Sequence, residues 1–179
     1  QMPRVPVAFA LALLGLAYCE AWMAPLSAKT LREIVLPGTH DSGARASTLT
    51  QELVPEALPP FAAECVRVAE EHGLHADELI TAWAAAHDLD IYEQLASGIR
   101  YLDIRAAVDS AGVWRVFHCE YGEPLAAIIS NITEWLSSSP SSEFLVVEVS
   151  HLWGHPTADQ LSELAQMLEA AMHPWLIRG

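Results

Sequence analysis

The chain has 179 residues and a net charge of −14, with 9 Lys+Arg against 23 Asp+Glu. That length suits one domain or part of one, and 52% hydrophobic with 18% charged residues excludes disorder and fibrous repeats. With one lysine, Lys29, and scattered arginines, the composition argues against nucleic acid and against electrostatic adhesion to an anionic membrane, both of which need clustered cations.

Arg4 followed by the apolar run Val5 to Tyr18, with small residues around Cys19-Glu20-Ala21, reads as a signal peptide over residues 1–21. The run is shorter than the about 20 residues that span a bilayer. The expected location is therefore secreted or extracytoplasmic, with residues 22–179 as the working domain. After cleavage two cysteines remain, Cys65 and Cys119, and their pairing is open. Asn131-Ile132-Thr133 is a glycosylation acceptor pattern.

In chain order, Leu31 to Leu36 reads as a strand stopped by Pro37-Gly38, and Gly43 to Pro60 as a loop. Phe61 to His72 and Asp77 to His87 have helical spacing, with Asp77 as N-cap. Ile99 to Ile104 and Val113 to Phe117 are short strands, and Pro124 to Leu136 is a helix with proline in its first turn. Ser137 to Ser142 is a loop, and Phe144 to Val149 is a strand apolar enough for burial on both faces of a parallel sheet. Thr157 and Gln160 form a capping box opening a helix to about Met172. Strands alternating with helices predict an α/β fold with parallel strands. Four strands cannot close a barrel, and a complete (β/α)₈ barrel takes roughly 250 residues.

Polar residues gather at the predicted strand ends: Thr39-His40-Asp41-Ser42 after the first, Asp103 and Arg105 on the second, His118 after the third, and Glu148 with His151 on the fourth. In a parallel barrel such ends face the active site. Two histidines, an arginine and carboxylates suffice for phosphodiester cleavage: one imidazole removes a proton, the other protonates the leaving oxygen, and the guanidinium holds the phosphate.

Leu-Pro-Gly-Thr-His-Asp at 36–41, Gln94-Leu95 before Gly-Ile-Arg-Tyr-Leu-Asp-Ile-Arg at 98–105, a strand ending in His118, and Glu-Val-Ser-His at 148–151 together resemble the X domain of phosphatidylinositol-specific phospholipases C. The likeness is greatest to X-domain-containing proteins and the bacterial enzymes, and runs from Trp22 to about Leu176. It implies the N-terminal half of a distorted TIM barrel and cleavage of phosphatidylinositol-type lipids, with transient contact at a membrane surface. By this resemblance His40 is the general base on the inositol 2-hydroxyl. His118 is the general acid, supported by Asp41, and Arg105 contacts the phosphate. Asp103 orients Arg105 or the substrate, and Glu148 and His151 lie at the site rim.

Calcium-dependent relatives carry a carboxylate at the position of Arg105, so the resemblance implies a metal-independent enzyme without cofactor. The family's aspartate partner of the base belongs to the other half of the barrel. From this follow two expectations: His40 lacks that partner in this chain, and the chain alone self-associates and turns over slowly. The alternatives are a metal-dependent phosphodiesterase of the glycerophosphodiesterase or sphingomyelinase D type, and an inactive X-domain relative that binds a lipid headgroup or a protein.

Overall fold

The structure, a computed structural model, describes residues 22–50, 54–139 and 142–177. The signal peptide expected over residues 1–21 lies outside the described residues. The elements are β1 (Gly38–Thr39), α1 (Pro60–Glu71), α2 (Asp77–Ala84), α3 (Ile91–Ala96), β2 (Tyr101–Val108), β3 (Trp114–Phe117), β4 (Tyr121–Pro124), α4 (Leu125–Ser138), β5 (Val146–Trp153) and α5 (Ala158–Met172), with 3₁₀ turns at Ala24–Leu26, Leu31–Glu33 and Pro55–Ala57.

β2 organises the sheet. One of its edges pairs in parallel with β5, from Tyr101 opposite Val146 to Arg105 opposite Ser150. The other edge is shared by two strands arriving from opposite directions. β1 runs parallel beside Tyr101 and Leu102, and β3 runs antiparallel beside Ala106, Ala107 and Val108. β4 continues the hairpin on β3. The all-parallel expectation is thus corrected: β3 and β4 are antiparallel, and the described sheet has five strands rather than four.

β2 alternates its faces strictly over its first six residues. Leu102, Ile104 and Ala106 pack with Ile91 and Leu95 of α3, with Ile128 and Ile132 of α4, and with Leu164 of α5. Each fully buried Leu or Ile contributes about 1.5–3 kcal/mol, so this face holds the sheet to its helices. The opposite face presents Tyr101, Asp103 and Arg105, and is polar. Arg100 is buried in an ion pair with Glu143 at 2.6 Å, donates to the Leu95 and Ile99 carbonyls, and lies 4.3 Å from the Trp135 ring. It belongs to the packing, as its odd spacing from Asp103 requires.

Other expectations shift for local reasons. Thr30 and Glu33 cap each other, which turns Leu31–Glu33 into a 3₁₀ turn. Val35 is 92% exposed, and pairing begins only at Gly38. The N-cap of α2 is Ala76 rather than Asp77, and the helix stops at Ala84 because Ala86 and His87 turn their N–H groups to the Ala44 carbonyl. α4 runs on to Ser138, into the predicted loop, and carries Asn131 in its interior. β5 is half-buried rather than buried on both faces, because among the described residues only β2 pairs with it. A groove of about 1060 Å³ lies beside it, lined by Leu136, Val147, Val149, Leu168 and Met172 among others. Cys65 and Cys119 are free thiols, the first exposed and the second buried.

Candidate active site

The two strands on the upper edge of β2 stop short of each other, and the site fills that gap. β1 ends at Thr39 opposite Leu102, while β3 reaches down only to Val116 opposite Ala106. The chain leaving β1 turns sharply through His40 and Asp41, and Asp41 adopts a left-handed conformation with φ 49°. An aspartate tolerates that region better than most residues. Ser42 then completes the edge: its N–H donates to the Asp103 carbonyl at 2.8 Å, and its Oγ accepts from the Asp103 N–H at 2.9 Å. Gly43 follows where the backbone passes β3 so closely that a Cβ would sit 2.7 Å from a Val116 methyl.

His118 enters the same gap from β3, so it arrives on an antiparallel strand rather than at a parallel C-terminal end. The cluster is one connected set. His40 Nδ1 lies 2.9 Å from Asp103 Oδ2, and His40 Nε2 lies 3.1 Å from Asp41 Oδ2 and 3.2 Å from Arg105 Nη2. Arg105 Nε is 2.6 Å from Asp41 Oδ1, though not in line for a hydrogen bond, and 3.8 Å from Asp103 Oδ2. His118 Nε2 is 3.5 Å from Asp41 Oδ2. Asp41 is buried, whereas the His40 side chain is 72% exposed, so the carboxylate forms the floor and the imidazole faces solvent.

The proton positions follow from the partners. A carboxylate only accepts, so His40 Nδ1 donates to Asp103. Nε2 faces both Asp41 Oδ2, which can only accept, and Arg105 Nη2, which can only donate, and in the neutral ring its lone pair accepts from Arg105. His118 Nδ1 is 2.7 Å from the Ala84 carbonyl and therefore donates, leaving Nε2 as its reactive nitrogen. Ser150, opposite Arg105 on β5, donates to Asp103 Oδ1 at 3.1 Å. The Cys119 thiol lies close by. Burial pushes its pKa up, the Glu120 and Asp41 charges add to this, and Arg105 opposes it. It offers no thiolate nucleophile at neutral pH.

Of the residues singled out in the sequence, the structure brings together His40, Asp41, Asp103, Arg105 and His118. Glu148 and His151, expected at the site rim, form no hydrogen bond or ion pair with that cluster. Glu148 stands opposite Asp103 but accepts from the Tyr101 hydroxyl, whose pKa it raises. His151 is exposed on a β-bulge with φ 49°, where three steps along β5 match two along β2. The bulge lets Leu152 join the core while Trp153 reaches the polar face and stacks on Phe117 at 5.8 Å.

Asp103 lies 3.8 Å from Arg105, as expected, and nearer still to His40, at 2.9 Å, so His40 also has a carboxylate against its Nδ1. Sequence reasoning missed the supports as well: Gln94, Ser150, the Ala84 carbonyl, and His87, whose Nε2 donates to the His40 carbonyl at 2.7 Å. Gln94 and Ser150 had a signal, their places in the Gln-Leu pair and in the Glu-Val-Ser-His stretch.

His40, Asp41 and Asp103 offer ligand atoms within 4.8 Å of one another. A calcium ion takes six to eight oxygen ligands. Two carboxylates with a guanidinium already against one of them do not fit that demand.

No family model matches the chain. A PI-PLC X-box domain-containing protein of Dictyostelium discoideum is 28% identical over 128 residues, covering 72% of this chain and 15% of that protein. The variant-surface-glycoprotein phospholipase C of Trypanosoma brucei brucei is 20% identical over 164 residues, 84% of this chain and 44% of that one. The human PI-PLC X domain-containing protein 1 is 27% identical over 139 residues, 68% and 39% of the two chains. A structure of the phosphatidylinositol-specific phospholipase C of Staphylococcus aureus superposes with a TM-score of 0.57 at 23% identity, over 87% of this chain and 44% of that one. The chain thus spans less than half the length of these relatives. The sequence matches relate it to the PI-PLC X-domain proteins, and the superposition shows the expected α/β class, a curled half-barrel sheet like that of the bacterial TIM barrel.

Proposed function

From that relationship we propose that the His40–His118 cluster cleaves phosphatidylinositol-type lipids by general acid–base chemistry, with Arg105 as the phosphate clamp. The observation that carries this reading is the single connected set of two imidazoles, two carboxylates and one guanidinium in the gap along β2. His40 Nε2 takes the proton of the inositol 2-hydroxyl, and that oxygen attacks phosphorus. The bond from phosphorus to the diacylglycerol oxygen breaks, and His118 Nε2 delivers its proton to the departing oxygen. Asp103 accepts from His40 Nδ1 throughout and balances the imidazolium that forms. Arg105, whose Nη2 rests on the base nitrogen, exchanges that contact for phosphate oxygens when substrate arrives, which frees the lone pair for the hydroxyl. The fixed guanidinium charge supplies what a metal supplies elsewhere, so the reaction is metal-independent. The reading of residues 1–21 as a signal peptide supports an extracytoplasmic setting.

The test is turnover of phosphatidylinositol vesicles with and without chelator. His40→Ala and His118→Ala should each lower the rate by at least about 10²-fold, the low end for general acid–base catalysis, and chelator should have no effect. Full activity in either variant, or a calcium requirement, overturns the reading.

A further inference from the structure

The backbone that carries His40 and Asp41 is held by a side chain from a different element. Gln94 lies on α3 and is 2% exposed. Its Nε2 donates to the Ser42 carbonyl at 2.8 Å and to the Leu89 carbonyl at 3.0 Å. Its Oε1 accepts from Thr39 Oγ1 at 2.8 Å, and because an amide oxygen only accepts, the Thr39 proton is committed there. Ser42 Oγ, 2.8 Å from Thr39 Oγ1, donates to the Thr39 carbonyl and accepts from the Asp103 N–H. The residues on either side of the His40–Asp41 step are thus both tied to Gln94, and through Ser42 to the strand that bears Asp103 and Arg105.

Packing alone does not ask for glutamine here. Its neighbours Ile91 and Leu95 are fully buried in the apolar core, and an aliphatic side chain at 94 would spare the cost of burying an amide. Every polar contact of that amide goes to the Thr39–Ser42 turn or to the start of its own helix. α3 is itself fixed by reciprocal capping between Asp90 and Glu93, so Gln94 projects from a rigid base.

We propose that Gln94 is a positioning residue: it sets the direction in which the Thr39–Ser42 turn presents His40 and Asp41 to Asp103 and Arg105. The inference rests on the phosphodiesterase reading for its kinetic consequence and on geometry alone for its structural one. Gln94→Met keeps the volume and removes all three hydrogen bonds. Thr39→Val removes one of them, and Thr39→Ser restores it. The measurements are kcat and KM on phosphatidylinositol vesicles, thermal melting, and the ring ¹⁵N shifts of His40, which report the proton on Nδ1.

A displacement of about 1 Å in a reacting group costs about 10²-fold. Gln94→Met and Thr39→Val should therefore lower kcat by about 10- to 10²-fold, leave KM within about twofold, and move the His40 ring shifts. Thr39→Ser should match the wild type in all three. If Gln94→Met fails to fold, the Thr39 pair decides. Unchanged kcat and ring shifts in a folded Thr39→Val or Gln94→Met overturn the proposal, as does a Thr39→Ser that behaves like Thr39→Val. If the wild type does not turn over phosphatidylinositol, the catalytic reading fails and the ring shifts alone judge Gln94.

Discussion

Asp103→Asn separates charge from geometry at the base. The wild-type carboxylate receives three donors: His40 Nδ1–H at 2.9 Å and the Asp41 N–H at 3.4 Å on Oδ2, and the Ser150 hydroxyl at 3.1 Å on Oδ1. An asparagine has one oxygen to offer. Placed at the Oδ2 position it satisfies both fixed donors, while the Ser150 hydroxyl can rotate to accept from the new amide. His40 then keeps its proton on Nδ1 and its lone pair on Nε2. What is lost is the difference between a charge-assisted and a neutral hydrogen bond, about 1–2 kcal/mol, or about 5- to 30-fold in rate. The His40 side chain is largely exposed, so solvent screens any longer-range Coulomb loss. Inverting the tautomer would instead cost about 10⁴-fold, as it does in a serine-protease triad. The assay is kcat on phosphatidylinositol across pH, with a thermal melt to confirm folding. A rate within twofold of wild type would show that Asp103 does not act through His40. A loss near 10⁴-fold would refute the amide orientation argued from Ser150.

Arg105→Lys should lower kcat/KM by at least about 10-fold, since one ammonium cannot meet Asp41 and two phosphate oxygens with the geometry of a planar fork; undiminished turnover counts against the clamp. Burial pushes the Glu123 carboxyl above its ordinary range, with Arg45 opposing. Its contribution to stability is therefore fully present below the unfolded value of about 4.3 and is lost as pH rises through the higher folded value. Glu123→Gln should accordingly raise the melting temperature at pH 7 but not at pH 4, and equal effects at both would contradict the sign. Asp109 is held low, first by its hydrogen bond from Arg115 and then by the Val113 and Ala111 N–H groups. Its contribution is present above about 3.9 and disappears as pH falls through the lower folded value, so Asp109→Asn should flatten the acid limb of a melting-temperature profile. An unchanged acid limb would mean that this loop contributes nothing to acid unfolding.

The sequence made some of this legible because the signals were local. α1, α4 and α5 follow from apolar spacing and, for α5, from the Thr157–Gln160 box. α3 has six residues, too few for a period to show, and only Asp90 and Glu93 betray it. Ile34 and Val35 look like strand residues, but a strand needs an edge to pair with, and β2 has room only from Gly38 onward. The β3–β4 hairpin turns at Cys119 with φ 63°, without the Asn-Gly or Asp-Gly pair that announces such a turn, so its antiparallel course was hidden. The same limit applies at the site. The motifs name His40, Asp41, Asp103, Arg105 and His118, whereas the identity of each partner depends on which strand ends meet. Glu148 carries the right chemistry in the right motif, yet it stands one strand away and is engaged by Tyr101.

The charge of the assembled site bears on which protonation state is competent in the proposed reaction. Asp41 and Asp103 contribute two negative charges and Arg105 one positive, so with both imidazoles neutral the cluster is negative, within a chain of net charge −14. A phosphodiester brings another negative charge to the same gap. One more proton makes the empty cluster neutral and leaves the loaded site with a single negative charge, and the geometry has a place for that proton. His118 Nδ1 already donates to the Ala84 carbonyl, and Nε2 faces Asp41 Oδ2 at 3.5 Å, so an imidazolium there is a donor on both sides. His40 Nε2 faces the same carboxylate at 3.1 Å, but it also faces the Arg105 guanidinium at 3.2 Å, a donor that a phosphate would draw away. The proposed reaction requires that proton on His118 and a lone pair on His40, the division of labour between its acid and its base.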